Sequence, residues 1–250
     1  MDLRLRGKRV LITGASKGIG AAVARVLAEE GAHLILAARG KGALAELAEE
    51  LRQAHGVAVD AHPADLRDAT ELTRLAEAAA DIDILVNNAG DIPAGSLDEV
   101  DSATWRHAWD LKVHGYIDLT RLVYARMRER GHGVIINDIG AAGEGFNANY
   151  IAGSAGNAAL MAFTRALGAR SMRDGIRVVG VNPGPVETDR MSTMLAASDA
   201  LRQQIAGVAA GRAATPWEIA DAIAFLASDR SAYTSGVIVT VDGGLSAAGG

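Results

Sequence analysis

This sequence predicts an α/β fold of the doubly wound kind, a parallel sheet of seven strands with helices on both faces. Three observations carry that expectation. Short apolar runs alternate with helical patterns from end to end, as crossover helices between parallel strands require. The first run, Val10-Leu11-Ile12, passes through a glycine-rich turn into the helical pattern Ala21-Val23-Ala24-Val26-Leu27. The chain of 250 residues, 49% hydrophobic and 22% charged, is long enough to bury the core of one large α/β domain.

The elements follow in order. The first helix stops at Gly31, a left-handed cap, and His33–Ala37 is a second strand. Leu44, Leu47, Ala48 and Leu51 mark a helix that ends near Gly56. Val57–Ala61 reads as a third strand closed by Pro63 and Asp65, with Leu72, Leu75, Ala76 and Ala79 on the next helix. Ile82–Val86 is a fourth strand that runs into Asn87-Asn88-Ala89-Gly90. One long helical region, Trp105 to Arg130, precedes the fifth strand Val134–Asn137, and a helix from about Tyr150 to Met172 precedes the sixth, Ile176–Val181. Asn182-Pro183-Gly184-Pro185 breaks that strand. Thr215-Pro216-Trp217-Glu218 is a helix start with cap, Pro and capping-box Glu, and Val237–Val241 is the seventh strand. No linker, repeat or low-complexity tract divides residues 1–250, which read as a single domain.

Strand, glycine turn and helix together make the Rossmann-type arrangement that binds a dinucleotide. The glycines let backbone approach the pyrophosphate, and the helix N-terminus offers free N–H groups and partial positive charge. Other classes are disfavoured. The net charge is −5 with no Lys/Arg run beyond a dipeptide, which argues against nucleic acid. There is no cysteine, the six histidines show no ligand-pair spacing, and no metal site is expected. The charged N-terminus lacks the apolar centre of a signal peptide, and no apolar run approaches the roughly 18 residues that span a bilayer. A cytoplasmic protein without a membrane partner is expected.

Four ordered motifs now fall together: T-G-x-x-x-G-x-G at Thr13–Gly20, N-N-A-G at Asn87–Gly90, N-P-G-x-x-x-T at Asn182–Thr188, and Ser235-Gly236 through Asp242-Gly243-Gly244. Over essentially its whole length the chain resembles the short-chain dehydrogenase/reductase family. The resemblance implies hydride transfer between a nicotinamide cofactor and a carbonyl or alcohol. It places Gly14, Ser16, Gly18, Ile19 and Gly20 around the pyrophosphate and Asp65 and Leu66 at the adenine. Asn88, Ala89 and Gly90 then flank the ribose, and Pro183, Gly184, Val186 and Thr188 meet the nicotinamide end. An acidic residue after the second strand would select NAD(H); Ala38 and Arg39 stand there instead, and the turn carries Lys17. Two cations near one ribose suit a 2′-phosphate, so NADP(H) is expected, with NAD(H) the alternative.

The family's catalytic group is Asn, Ser, Tyr and Lys, with Tyr thirteen residues after Ser and Lys four after Tyr. Ungapped alignment through Ala158–Leu167 places Gly153 at the Tyr position, Asn157 at the Lys position and Gly140 at the Ser position. Counting back from Gly131 places Lys112 at the Asn position. A rival register starts the motif at Tyr150 and gives Ser154 the Lys place, at the cost of a three-residue insertion. In the ungapped register all four residues differ. Tyr150 lies three residues before Gly153 and can swing into the space a glycine leaves. Lys112, with Asn157 and Ser154 as polar support, then supplies the missing cation of a displaced acid/base pair. Packing or ion-pair roles for Tyr150 and Lys112, the latter with Asp138 or Asp110, stay open, and His114 and Tyr116 are further candidates nearby.

Three functions follow from this reading. The first is a reductase or dehydrogenase with an altered site, acting on a carbonyl, alcohol or activated double bond. The second is a silent NADP(H)-binding sensor or scaffold, and the third a non-redox acid/base enzyme. The segment at about 188–214, with Met191, Met194, Leu195 and Leu201, would cover an apolar or aromatic small-molecule substrate. Resemblance also implies a homotetramer or homodimer built on residues 105–130 and 150–172.

Overall fold

The Val10-Leu11-Ile12 run sends alternate side chains to opposite faces of one sheet: Val10 and Ile12 pack with one core cluster, Leu11 with another. Both faces are buried, which is why the strands read as continuous apolar runs rather than alternating ones. The computed structural model describes residues 1–197 and 199–247.

Strand β1 (Arg9–Thr13) leads into helix α1 (Gly18–Glu29), followed by β2 (His33–Ala38), α2 (Lys41–His55) and β3 (Val59–Pro63). Asp68 caps α3 (Ala69–Ala78) by accepting from the amides of Thr70 and Glu71, and β4 (Ile84–Asn87) follows. Asp101 caps α4 (Ser102–Trp109), a π-helical turn spans Asp110–His114, and α5 (Gly115–Arg130) ends at Gly131. Then come β5 (Gly133–Asp138), the short α6 (Ala142–Gly145), α7 (Ile151–Ser171) and β6 (Ile176–Pro183). After α8 (Asp189–Ala197) and α9 (Asp199–Ala206), the expected capping box opens α10 (Pro216–Ala227), and β7 (Ile238–Val241) closes the sheet.

All seven strands are parallel, in the order β3-β2-β1-β4-β5-β6-β7. The order reverses between β1 and β4, the point at which open α/β sheets place ligands. Helices α1, α2 and α10 cover one face through Leu27, Leu44 and Ile223. Helices α3 and α5 cover the other through Leu72, Leu75, Leu119 and Val123. Among the described residues no helix is long and apolar enough to cross a membrane, and no cluster of His, Cys, Asp or Glu could hold a metal.

Three details depart from the sequence expectation. β3 runs to Pro63 rather than stopping before it, because an edge strand tolerates a residue without N–H. The Trp105–Arg130 region is not one α-helix but two joined by the π turn. Segment 188–214 is itself largely helical; the side chains of Met194 and Leu201 lie outside the described residues.

The buried Arg177 on β6 anchors the far end of α10. Its guanidinium donates to the carbonyls of Leu226 (2.8 Å), Ser228 (3.0 Å), Ala227 (3.3 Å) and Thr234 (3.5 Å). These carbonyls lie at or beyond a helix C-terminus, where a cation complements the dipole; that of Ser228 also accepts from the Ser231 amide at 3.1 Å. Replacing Arg177 by Met should remove this donor and leave the buried Leu226 and Ala227 carbonyls without it, costing about 3 kcal/mol of stability in chemical denaturation.

Candidate active site

At the carboxyl ends of the strands lies an open cleft of ≈ 1970 Å³. Its floor is set by a clamp across the reversal point. Thr13 Oγ1 accepts from the amides of Asn88 (2.9 Å) and Ala89 (3.1 Å), while Asn88 Nδ2 donates to the carbonyl of Thr13 at 2.8 Å and of Gly14 at 3.2 Å. Gly14 sits at φ +66°, and a Cβ there would stand 2.7 Å from Asn88 Nδ2. A Cβ at Gly20 would fall on the Gly14 carbonyl, so Gly20 serves the closure of turn onto helix rather than lining the cleft. Gly18, at φ +57°, opens α1, and among the described residues no side-chain cap closes its first turn. Free donors beside a close-packed glycine turn fit a phosphate group.

The other residues expected at a cofactor distribute as follows. Ser16, Lys17, Gly18, Ile19, Arg39 and Leu66 line one end of the cleft; Asn88, Ala89, Gly90, Pro183, Gly184, Val186 and Thr188 line the rest. Asp65 does not line it. Its carboxylate is bound by Arg67 at 2.6 Å, which holds it below the ordinary carboxylate range. Arg39 lies 4.0 Å from Asp91, both more than half exposed, and Lys17 is exposed.

The structure brings Lys112, Tyr150, Asn157 and Gly140 to the same cleft. Tyr150 precedes α7, at φ −139°, and its ring lies where a side chain on Gly153 would stand: a Cβ at Gly153 would fall on the ring. Gly140 faces Asn157 in the same manner, with Asn157 Nδ2 2.8 Å from its would-be Cβ, and Asn157 Oδ1 is buried without a hydrogen-bond partner among the described residues. Lys112, on the π turn, crosses Gly90 and donates from Nζ to the Ile139 carbonyl at 2.6 Å. Ser154 points elsewhere: its hydroxyl accepts from the amide of Asn147 at 3.0 Å and bonds the Asn147 carbonyl, bracing the loop before Tyr150. His114 is exposed and bonds Asp110 at 3.0 Å, outside the cleft. Tyr116 is fully buried and donates to the Asp138 backbone carbonyl at 2.9 Å.

Beneath this end runs a buried polar chain. Asn87 Nδ2 donates to Thr120 Oγ1 (3.1 Å) and Asn137 Oδ1 (2.9 Å); Asn137 Nδ2 donates to Thr164 Oγ1 (2.9 Å). It ties β4, β5, α5 and α7 together, so the elements carrying Lys112 and Tyr150 are fixed relative to one another. Two cleft residues escaped the sequence reading as site residues. Glu144 accepts from Asn182 Nδ2 at 3.1 Å and Thr240 Oγ1 at 3.3 Å, contacts invisible before folding. Asp138 ends an apolar strand; an acid there was the available signal.

The fold matches those of known proteins. The family model described as Enoyl-(Acyl carrier protein) reductase matches residues 14–246. The chain belongs to the short-chain dehydrogenase/reductase family. It is 36% identical to a galactitol 2-dehydrogenase (L-tagatose-forming) of Cereibacter sphaeroides, over 96% of each chain. The structure of an L-sorbose reductase from Gluconobacter frateurii complexed with NADPH and L-sorbose superposes with TM-score 0.89 at 32% identity, over 98% of each chain. A 7α-hydroxysteroid dehydrogenase complexed with NADH and a 7-oxo bile acid gives 0.91 at 31% identity, over 97% of this chain and 96% of that one. The cofactor class that follows is NAD(P)(H).

Asp138 carries a measurable signature. Burial raises its pKa from the ordinary 3.8 to about 6, against an opposing pull from Lys112. A carboxyl raised on folding stabilises the protein fully below 3.8, and that stability is lost as pH rises through about 6. Asp138→Asn should therefore be more stable than wild type by roughly 3 kcal/mol at pH 8 and no more stable below pH 3.8, as read from denaturation midpoints at each pH.

Proposed function

We propose that this chain is an NADP(H)-dependent oxidoreductase of small-molecule carbonyls, alcohols or activated double bonds, in which Tyr150 and Lys112 do the acid/base work of a substituted site. The observation that carries this reading is the Tyr150 ring over Gly153, in the cleft that Lys112 also lines. Ungapped alignment gives the family's Tyr position to Gly153, and the phenol supplied from Tyr150 fills the volume that glycine leaves.

The residues present divide the tasks. Gly14, Gly18 and the N-terminus of α1 would hold the pyrophosphate, and Leu66 would pack at the adenine. Lys17 and Arg39 would take the 2′-phosphate, where an acid in place of Ala38 would reject it. When bound, the dinucleotide supplies the hydride donor or acceptor. Tyr150 holds the proton for the substrate oxygen at its phenol oxygen, and Lys112 places a positive charge in the same cleft. Asn157 offers an amide to water or substrate, its Oδ1 being unpaired. Met191 and Trp217 line the cleft and suit an apolar or aromatic substrate. The domain reading, one unit over 1–250 with 188–214 over the substrate, belongs to the same proposal, as does assembly into a homodimer or homotetramer.

A second reading is a cofactor-binding sensor or scaffold without turnover. It is favoured by one contact, the Lys112 ammonium bonded to the Ile139 carbonyl rather than held wholly for a substrate.

NADPH oxidation should be detected across a panel of ketones, enones and quinones. Tyr150→Phe and Lys112→Met should each lower kcat by about 10²-fold or more while NADPH still binds. Full activity in both would sink the pair, and tight NADPH binding with no turnover of any panel member would favour the sensor. Arg39→Ala should weaken NADPH about tenfold with little change for NADH, measured by titration of cofactor fluorescence.

A further inference from the structure

Asp138 is 6% exposed at the end of the apolar strand β5, yet it lines the cleft. Its Cα is in register with Val181 on β6, and three residues on the Ala141 amide donates to the Pro183 carbonyl at 2.8 Å. It thus stands at the end of the cleft formed by Pro183 and Gly184, which the proposed function gives to the nicotinamide. Lys112, on the π turn, is the charge that acts on it. Tyr116, from α5, meets its backbone carbonyl, and burial together with Asp138 keeps that phenol neutral. The remaining ionisable groups on this part of the cleft wall are Glu144 on α6, Tyr150 before α7, and Glu187 and Asp189 after β6.

We propose that Asp138 sets the preference of this cleft between the two oxidation states of the nicotinamide, by balancing the charge of Lys112 beside the ring. The proposal rests on the NADP(H) reading above. The oxidised ring carries one positive charge and the reduced ring none. With Asp138 ionised, the Asp138/Lys112 pair is neutral overall and tolerates either ring. With Asp138 neutral, the pair carries a net positive charge and disfavours the oxidised ring in a site of low dielectric. Burial places that change in mild acid, near pH 6. The 2′-phosphate and pyrophosphate are common to both forms, so they cancel in a ratio of dissociation constants.

The test is binding rather than turnover, with the full chain and with NADP⁺ and NADPH titrated separately by calorimetry at pH 5 and pH 8. In wild type, Kd(NADP⁺)/Kd(NADPH) should rise about tenfold between pH 8 and pH 5. In Asp138→Asn the ratio should already be raised at pH 8 and stay flat. Lys112→Met should lower it below wild type at pH 8, an opposite sign that general damage to the fold would not give. A ratio in Asp138→Asn that follows the wild-type pH profile overturns the inference alone. Failure of wild type to bind either dinucleotide overturns the proposed function and this inference together.

Discussion

The clamp between Thr13-Gly14 and Asn88-Ala89 is the interaction on which the rest of the cleft depends. Parallel strands β1 and β4 separate their following segments to opposite sides of the sheet, which would leave a gap with unpaired backbone at its lip. Thr13 Oγ1 and Asn88 Nδ2 close that gap with four hydrogen bonds, each to or from backbone of the facing segment. The closeness required leaves no room for a Cβ at Gly14 or Gly20. A turn so constrained starts α1 with its donors exposed to whatever lies above, and phosphate is the group such donors bind best.

A second constraint acts at the other end of the cleft. Asn87, Thr120, Asn137 and Thr164 are nearly inaccessible to solvent, and their polar groups are bonded mainly to one another. A network of this kind penalises any shift of α5 or α7 that would break one bond without replacing it. The π turn at Asp110–His114 sits at the start of α5, where the extra residue per turn accompanies the projection of Lys112 across Gly90 toward the Ile139 carbonyl. Glycine at 140 and 153 then gives Asn157 and Tyr150 the volume they fill. Two complementary pairs result, each a glycine facing a larger side chain.

Charge in this part of the cleft is arranged economically. Lys112 and Asp138 oppose each other in a poorly hydrated pocket, and the carboxyl is destabilised by burial more than it is rescued by the ammonium. A fold that keeps such a pair loses stability at neutral pH, a pattern found where ionisable groups serve chemistry rather than packing.

The sequence by itself determined the seven-strand parallel architecture, the position of the glycine turn, the capping box before α10 and the family, because these depend on local periodicity and on short motifs whose residues act as neighbours. It placed strand ends less well: β3 extends through Pro63, since being an edge strand is a property of the assembled sheet. It did not show the break of the Trp105–Arg130 helix by a π turn, or that segment 188–214 coils into α8 and α9. Nor could it sort Ser154 and Asp65, polar residues of the right type, from the cleft; Asn147 and Arg67 claimed them by proximity in space. Only the tertiary structure decided that Asp138, Lys112, Asn157 and Tyr150 share one pocket, because three elements distant in sequence meet there and desolvation acts on their sum.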